Sequence, residues 1–150
     1  MSLFSRQNHR QQLLASLQKN YCAQVLLAKQ IKTQAETARY RCFKDGLLAL
    51  ANAETKQAEI IQELLKNLGV TVPKEIPACH VEQSQNLFQA LSRDLELERE
   101  NFWQYHEQLH EAEAADIGGL IQTLNQLREQ ELEHRKTLFY LLQRMNPYQI

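Results

Sequence analysis

Four long stretches of this chain place apolar residues at alternating intervals of three and four, and almost nothing interrupts them. The first runs from about His9 to about Thr37 and carries Leu13, Leu17, Tyr21, Leu27, Ala28 and Ile31 on one face. The second carries Leu47, Leu50, Ala51, Ala58, Ile61, Leu65 and Leu68, and Gly69 is placed to end it. The third shows Leu87, Leu91, Leu95, Phe102, Tyr105 and Leu109, and the fourth Leu120, Leu124, Leu127, Leu138, Leu141, Leu142 and Met145 before Pro147. With only 4 Gly and 3 Pro in 150 residues, the chain lacks the turn punctuation that a β fold requires. The pattern predicts an all-α protein, a single domain over 1–150 with 43% hydrophobic content to fill its core.

The connections discriminate among bundle topologies. A polar stretch through Arg39, Lys44, Asp45 and Gly46 is expected to turn the chain between the first two helices, and Asp116-Ile117-Gly118-Gly119 between the last two. Residues 69–83 show no helical period and hold two of the prolines, and Ser84 is placed to cap the third helix. Fifteen extended residues reach about 50 Å, and a helix of about 28 residues is about 42 Å long. The linker is therefore long enough to cross the length of an antiparallel four-helix bundle and join two helix pairs. A simple up-down-up-down bundle would also accommodate it, with the linker folded back.

Charge and cysteine usage exclude several function classes. The 17 basic and 18 acidic residues nearly cancel, so no overall field draws the chain to nucleic acid or to anionic lipid. The N-terminal MSLFSRQNHRQQ has no apolar signal core and no long apolar run suggests a membrane span, so a cytoplasmic protein is expected. Cys22, Cys42 and Cys79 make an odd count without C-x-x-C spacing, which argues against a disulfide framework or a zinc knuckle. Cys22 and Cys42 read as small helix-packing residues.

Helical phase, at about 100° per residue, identifies the polar residues that turn inward. Glu98 shares the face of Leu91, Leu95, Phe102 and Tyr105, whereas Glu96 and Glu100 lie about 200° to either side and face solvent. Glu131 and His134 lie on the stripe of Leu124, Leu127 and Leu138, with Glu129 and Glu133 outward. Residues three apart on a helix can grip one ion together, and a buried carboxylate is costly unless paired, protonated or metal-bound. Carboxylate and imidazole suit Fe²⁺, Mn²⁺ or Zn²⁺. The plain alternative is that His134 hydrogen-bonds a core glutamate and no metal binds.

The segment Asp94-Leu-Glu-Leu-Glu-Arg-Glu and the E-x-x-H pair Glu131–His134 resemble the third- and fourth-helix motifs of the ferritin-like superfamily, in the broad rubrerythrin and bacterioferritin sense. The separation 131 − 98 = 33 is also what two helices joined by a short turn would have. The resemblance covers about Leu13 to Met145 and implies an internal duplication of the helix pair. In the first half, however, Glu54 is followed by Gln57 where the resemblance implies histidine, and Gln24 stands where it implies glutamate, at a spacing of 54 − 24 = 30. The expected ligand set is Glu54, Glu98, Glu131 and His134, with Glu98 and His134 terminal, Glu131 able to bridge and Glu54 the fourth contributor. The expected cofactor is Fe or Mn, with Zn as a substitute, or none. A glutamine carbonyl brings no charge, so a two-metal oxidoreductase of the kind the resemblance implies would be under-neutralised here. The expected reading is a partial, mononuclear site in a homodimer, with a metal-free bundle acting as a dimerising or interaction module as the alternative.

The remaining chemistry-bearing residues read as structure. Tyr21 and Tyr105 fall on core stripes, and His106 and His110 lie about 80° and 120° from Glu98, on the surface. Cys79-His80 lacks a second cysteine, and the Arg39-Tyr40-Arg41-Cys42-Phe43-Lys44 cluster is too short on a neutral chain to predict a nucleic-acid patch.

Overall fold

The computed structural model describes residues 2–74, 76 and 86–145. Four helices account for most of them: α1 (Leu3–Thr37), α2 (Arg41–Asn67), α3 (Leu87–Ala114) and α4 (Gly118–Gln143). Among the described residues no helix is long and apolar enough to cross a membrane. Most of the expected apolar stripes face inward, with Leu13, Leu17 and Ile31 of α1 and Leu91, Leu124, Leu127 and Leu138 of α3 and α4 fully buried, whereas Leu95 and Phe102 of the α3 stripe are only partly buried.

Helix boundaries differ from expectation where capping decides them. α1 starts six residues before His9 because the Ser2 hydroxyl accepts from the Ser5 amide at 3.2 Å. The first turn is shorter than the sequence suggests. Lys44, Asp45 and Gly46 are already helical in α2, and a Cβ on Gly46 would stand 3.5 Å from the Leu141 side chain. Gly118 and Gly119 likewise belong to the first turn of α4. Asn86 caps α3 by accepting from the Gln89 amide at 2.9 Å, while Ser84, the residue predicted for that task, lies outside the described residues, as do Cys79, His80 and Pro147. Cys42, predicted to pack between helices, is exposed near the start of α2, and Cys22 is only partly buried.

Two C-termini use the same device with different residues. After α2, the Gly69 amide donates to Lys66 and the Val70 amide to Leu65, with Gly69 at φ 73°. After α3, the Asp116 amide donates to Glu113 and the Ile117 amide to Ala112, with Asp116 at φ 59°. Both are Schellman motifs, and in each the following apolar residue, Val70 or Ile117, packs back on the core.

Contacts between helices establish the topology. Leu64 and Leu65 at the end of α2 share an apolar cluster with Leu13 and Leu17 of α1, Leu109 and Ala112 of α3 and Leu120 of α4. The start of α3, Leu87 and Leu91, belongs to a second cluster with Ile31 and Ala35, Leu47 and Leu50, and Leu138 and Leu141. The end of α2 and the start of α3 are thus at opposite ends of the bundle. Cross-helix pairs agree: His9 of α1 meets Glu111 of α3 at 2.5 Å, and Gln30 meets Asp94 at 2.6 Å, so α1 and α3 are antiparallel. The up-down-up-down alternative, in which α1 and α3 would run parallel, is excluded. α1 packs on α2 and α3, and α4 on α3 and α2. The crossover begins against α1, where Gln18 donates to the Thr71 carbonyl at 3.0 Å.

The two Schellman turns make opposite forecasts. Asp116→Gly relieves a left-handed non-glycine residue and should stabilise by about 0.5–1 kcal/mol. Gly69→Ala, where no atom lies within 4 Å of the added Cβ, should destabilise by about 1 kcal/mol for purely conformational reasons. Chemical denaturation of both variants checks the pair.

Candidate metal centre

Between the two apolar clusters the bundle interior turns polar. α1 contributes Asn20 and Gln24, α2 Glu54 and Gln57, α3 Asp94, Glu98, Asn101 and Gln108, and α4 Glu131 and His134, all buried. The inward residues of α3 recur at 94, 98, 101, 105 and 108, the spacing that keeps one stripe facing the axis. Glu96, Glu100, Glu129 and Glu133 are exposed, as helical phase requires, and so are His106 and His110.

All four predicted ligand residues meet at one place. One ligand atom from each of Glu54, Glu98, Glu131 and His134 lies within 4.8 Å of the others. The three glutamates are 0% exposed and His134 is 7% exposed. His134 Nδ1 is 3.0 Å from Glu54 Oε1 and 3.7 Å from Glu98 Oε2. The nearer approach is an ion-pair distance without hydrogen-bond alignment, so the ring nitrogen and both Glu54 oxygens lack a hydrogen-bond partner among the described residues. The same holds for both oxygens of Glu98 and for Glu131 Oε2.

The two glutamines are engaged elsewhere, which the sequence could not reveal. Gln24 Nε2 donates to Glu131 Oε1 at 2.7 Å and to the Tyr105 hydroxyl at 3.2 Å. Gln57 Nε2 donates to the Leu127 carbonyl of α4 at 3.1 Å. Gln24 therefore occupies one oxygen of Glu131, and Gln57 ties α2 to α4 one turn before the E-x-x-H pair. Tyr105 is wholly buried in this network, whereas Tyr21 is half-buried against the apolar cluster below it.

Electrostatics follow from crowding three carboxyls away from water. Burial, then the neighbouring Glu131 and Glu54, hold Glu98 well above the usual carboxylate range. Burial raises Glu131 to about 7, opposed by the adjoining Glu98 carboxyl and by the hydrogen bond from Gln24. For His134 burial opposes the imidazolium, but Glu54 at Nδ1 and the Glu131 charge outweigh it and the ring is raised. Burial also pushes the Tyr105 phenol well up, reinforced by Glu131. Without a cation, the cluster is a set of groups that hold protons tightly.

Asp94, one turn from Glu98, is a buried acid that sequence reasoning quoted within a motif but did not single out. Its Oδ1 accepts from Gln30 at 2.6 Å and Gln34 at 3.3 Å, while Oδ2 has no partner. Burial raises it to about 7, partly opposed by those two amides and reinforced by Glu54. Its phase with Glu98 was the signal available.

The fold is that of ferritin-like bundles. The chain is similar to a ferritin-like, diiron-carboxylate protein from Bacillus anthracis str. Ames, with a TM-score of 0.81 and 21% identity over 95% of this chain and 99% of that one. It is also similar to a humanized archaeal ferritin, with a TM-score of 0.77 and 12% identity over 88% and 82% of the two chains. A protein from Xanthomonas campestris pv. campestris str. ATCC 33913 gives a TM-score of 0.77 and 16% identity over 91% of each chain. No family model matches the chain, and no curated protein sequence does. The ferritin-like fold thus encloses a buried carboxylate–histidine group whose donor atoms are close enough together to hold a metal ion.

Asp94 sets a pH dependence of stability that can be signed. Its folded pKa lies above its unfolded value, so the folded state binds the extra proton and stability falls as pH rises from about 4 through about 7. Asp94→Asn should raise stability at both pH 5 and pH 8, by about 2–3 kcal/mol more at pH 8. Urea denaturation of both proteins at the two pH values measures this.

Proposed function

We propose that this chain binds a single divalent metal ion, Fe²⁺ or Mn²⁺ with Zn²⁺ as a substitute, at Glu54, Glu98, Glu131 and His134. The observation that carries the reading is the convergence of six buried N and O atoms that have no hydrogen-bond partner among the described residues: both oxygens of Glu54 and of Glu98, Glu131 Oε2 and His134 Nδ1. Buried polar atoms are rarely left this way, and a hard or borderline divalent cation is the partner that such a donor set satisfies. When bound, such an ion supplies Lewis-acid or one-electron redox chemistry.

The protein's own part is to fix charge and number. Three carboxylates more than neutralise one divalent ion. For two ions the first half of the site would have to contribute charge that Gln24 and Gln57 do not carry, and their amides are committed to Glu131, Tyr105 and Leu127. Gln24 takes one Glu131 oxygen, which leaves Oε2 for a metal and disfavours the bridging role expected of that residue. The similarity to a diiron-carboxylate protein supports metal handling as the function class, and the glutamines move this chain from two metals to one. We further propose a homodimer in the cytoplasm as the working form. The competing reading, a metal-free bundle acting through protein contacts, needs the cluster neutralised by protons, and the raised Glu98 and Glu131 supply them.

Elemental analysis of untagged protein reconstituted anaerobically with Fe²⁺ or Mn²⁺ separates these. One ion per chain is expected, lost in Glu131→Ala. The double substitution Gln24→Glu with Gln57→His should raise loading to two. No metal under any loading would sink the proposal. Because binding displaces protons from Glu98 and Glu131, apparent affinity should rise with pH through about 7, by up to about tenfold per pH unit for each proton released.

A further inference from the structure

The outer face of the α3–α4 pair departs from the solvated surface expected of a bundle exterior. A groove of about 470 Å³ runs between the two helices, with Leu95, Leu132 and Phe139 as its apolar lining. Arg99, Arg135 and Lys136 stand around it with a single acid, Glu96. Phe139 is 55% exposed and Leu132 39%, and farther along the same face Trp103 is 53% exposed. Large apolar side chains grouped on one face of an otherwise charged surface mark an interaction site.

The shape and composition narrow the occupant. Leu132 and Phe139 are seven residues apart on α4, so they project in line at a spacing of about 10 Å. That is the spacing at which an amphipathic helix presents successive anchors to a groove. Aromatic residues and arginine are the side chains that dominate protein contacts, and here two are already set against one another, Arg135 lying 6.0 Å from the centre of the Phe102 ring. Three cations to one acid around the lining, on a chain whose net charge is −1, call for an acidic ligand. The local pairs Arg99–Glu96 at 4.0 Å and Lys136–Glu133 at 3.0 Å are exposed i,i+3 contacts, worth little and easily exchanged. A second copy docked by two-fold symmetry would bring both sets of three cations together, which disfavours self-association through this face.

We propose that the α3–α4 groove is the docking site for an acidic amphipathic helix of a protein partner, with leucine-like anchors over Leu132 and Phe139 and flanking carboxylates on Arg99, Arg135 and Lys136. The proposal is independent of metal occupancy.

Trp103, the chain's one tryptophan, adjoins Phe102 with ring centres 5.4 Å apart and gives the readout. The probe is a designed helical peptide with leucines on one face flanked by glutamates, and its control carries lysines in their place. Titration into the 150-residue chain should give saturable change in Trp103 emission with the acidic peptide. Binding should be at least about tenfold tighter than for the lysine control and should weaken with salt. Arg135→Glu combined with Lys136→Glu should weaken it by about tenfold or more, and Phe139→Ser should do so with far-UV circular dichroism unchanged. Equal binding of the two peptides, no response to either, or a self-association that Arg135→Glu abolishes would each overturn the assignment.

Discussion

Three carboxyl groups and an imidazole enclosed by four helices set the terms for everything around them. An isolated buried carboxylate is costly enough that a domain of ordinary stability cannot carry three without neutralising them. Protons and a divalent cation are the two agents that could neutralise them, and either would bind where the unpartnered oxygens of Glu54, Glu98 and Glu131 converge. The apolar clusters on either side bring the helix pairs together and close the site off along its axis. Leucines such as Leu17, Leu65 and Leu124 at one end and Leu47, Leu91 and Leu138 at the other supply the burial energy against which the polar centre is held.

Asymmetry between the two helix pairs then decides what the centre can do. α3 and α4 deliver Glu98, Glu131 and His134 to the cluster, while α1 and α2 deliver only Glu54 as an ionisable group. Gln24 and Gln57 are not idle replacements, since each donates an amide N–H across the bundle, one to Glu131 and Tyr105 and the other to the Leu127 carbonyl. A histidine at 57 would place an imidazole in that position, and a glutamate at 24 would set a second carboxylate against Glu131, raising both proton affinities further. The amides thus supply cross-bundle hydrogen bonds where ionisable groups would add charge, and on the reading proposed above the charge left behind would match one ion better than two.

Most of this was legible in the chain because helical phase is a strong geometric rule. Glu98 against Glu96 and Glu100, and Glu131 against Glu129 and Glu133, sort correctly into inside and outside on phase alone. Glu54 and the glutamines required the further step of comparing the two halves. Capping was less readable: Ser84 and Asn86 are both good N-cap residues, and nothing local ranks them. The left-handed Asp116 was hidden by its two following glycines, which look like better turn residues but sit in the first turn of α4. Asp94 escaped because its polar partners, Gln30 and Gln34, come from α1, sixty or more residues away. Its phase with Glu98 marks it as inward, but the pairing with neutral amides of α1 that holds it there leaves no periodic signature.

The same phase rule explains how α3 and α4 carry two unrelated surfaces without conflict. Glu98 and Arg99 are adjacent in sequence, as are Glu131 and Leu132, and His134 and Arg135, yet a step of about 100° separates a residue on the bundle axis from one on the outer groove. The inner members of these pairs are acids and a histidine held from water; the outer members are cations and a leucine at its edge. Substitutions in the groove can therefore remove outer charge without touching an inner carboxyl or imidazole. Backbone shifts, by contrast, would be felt by both, because the helix that aims Arg135 outward is the one that holds His134 3.0 Å from Glu54.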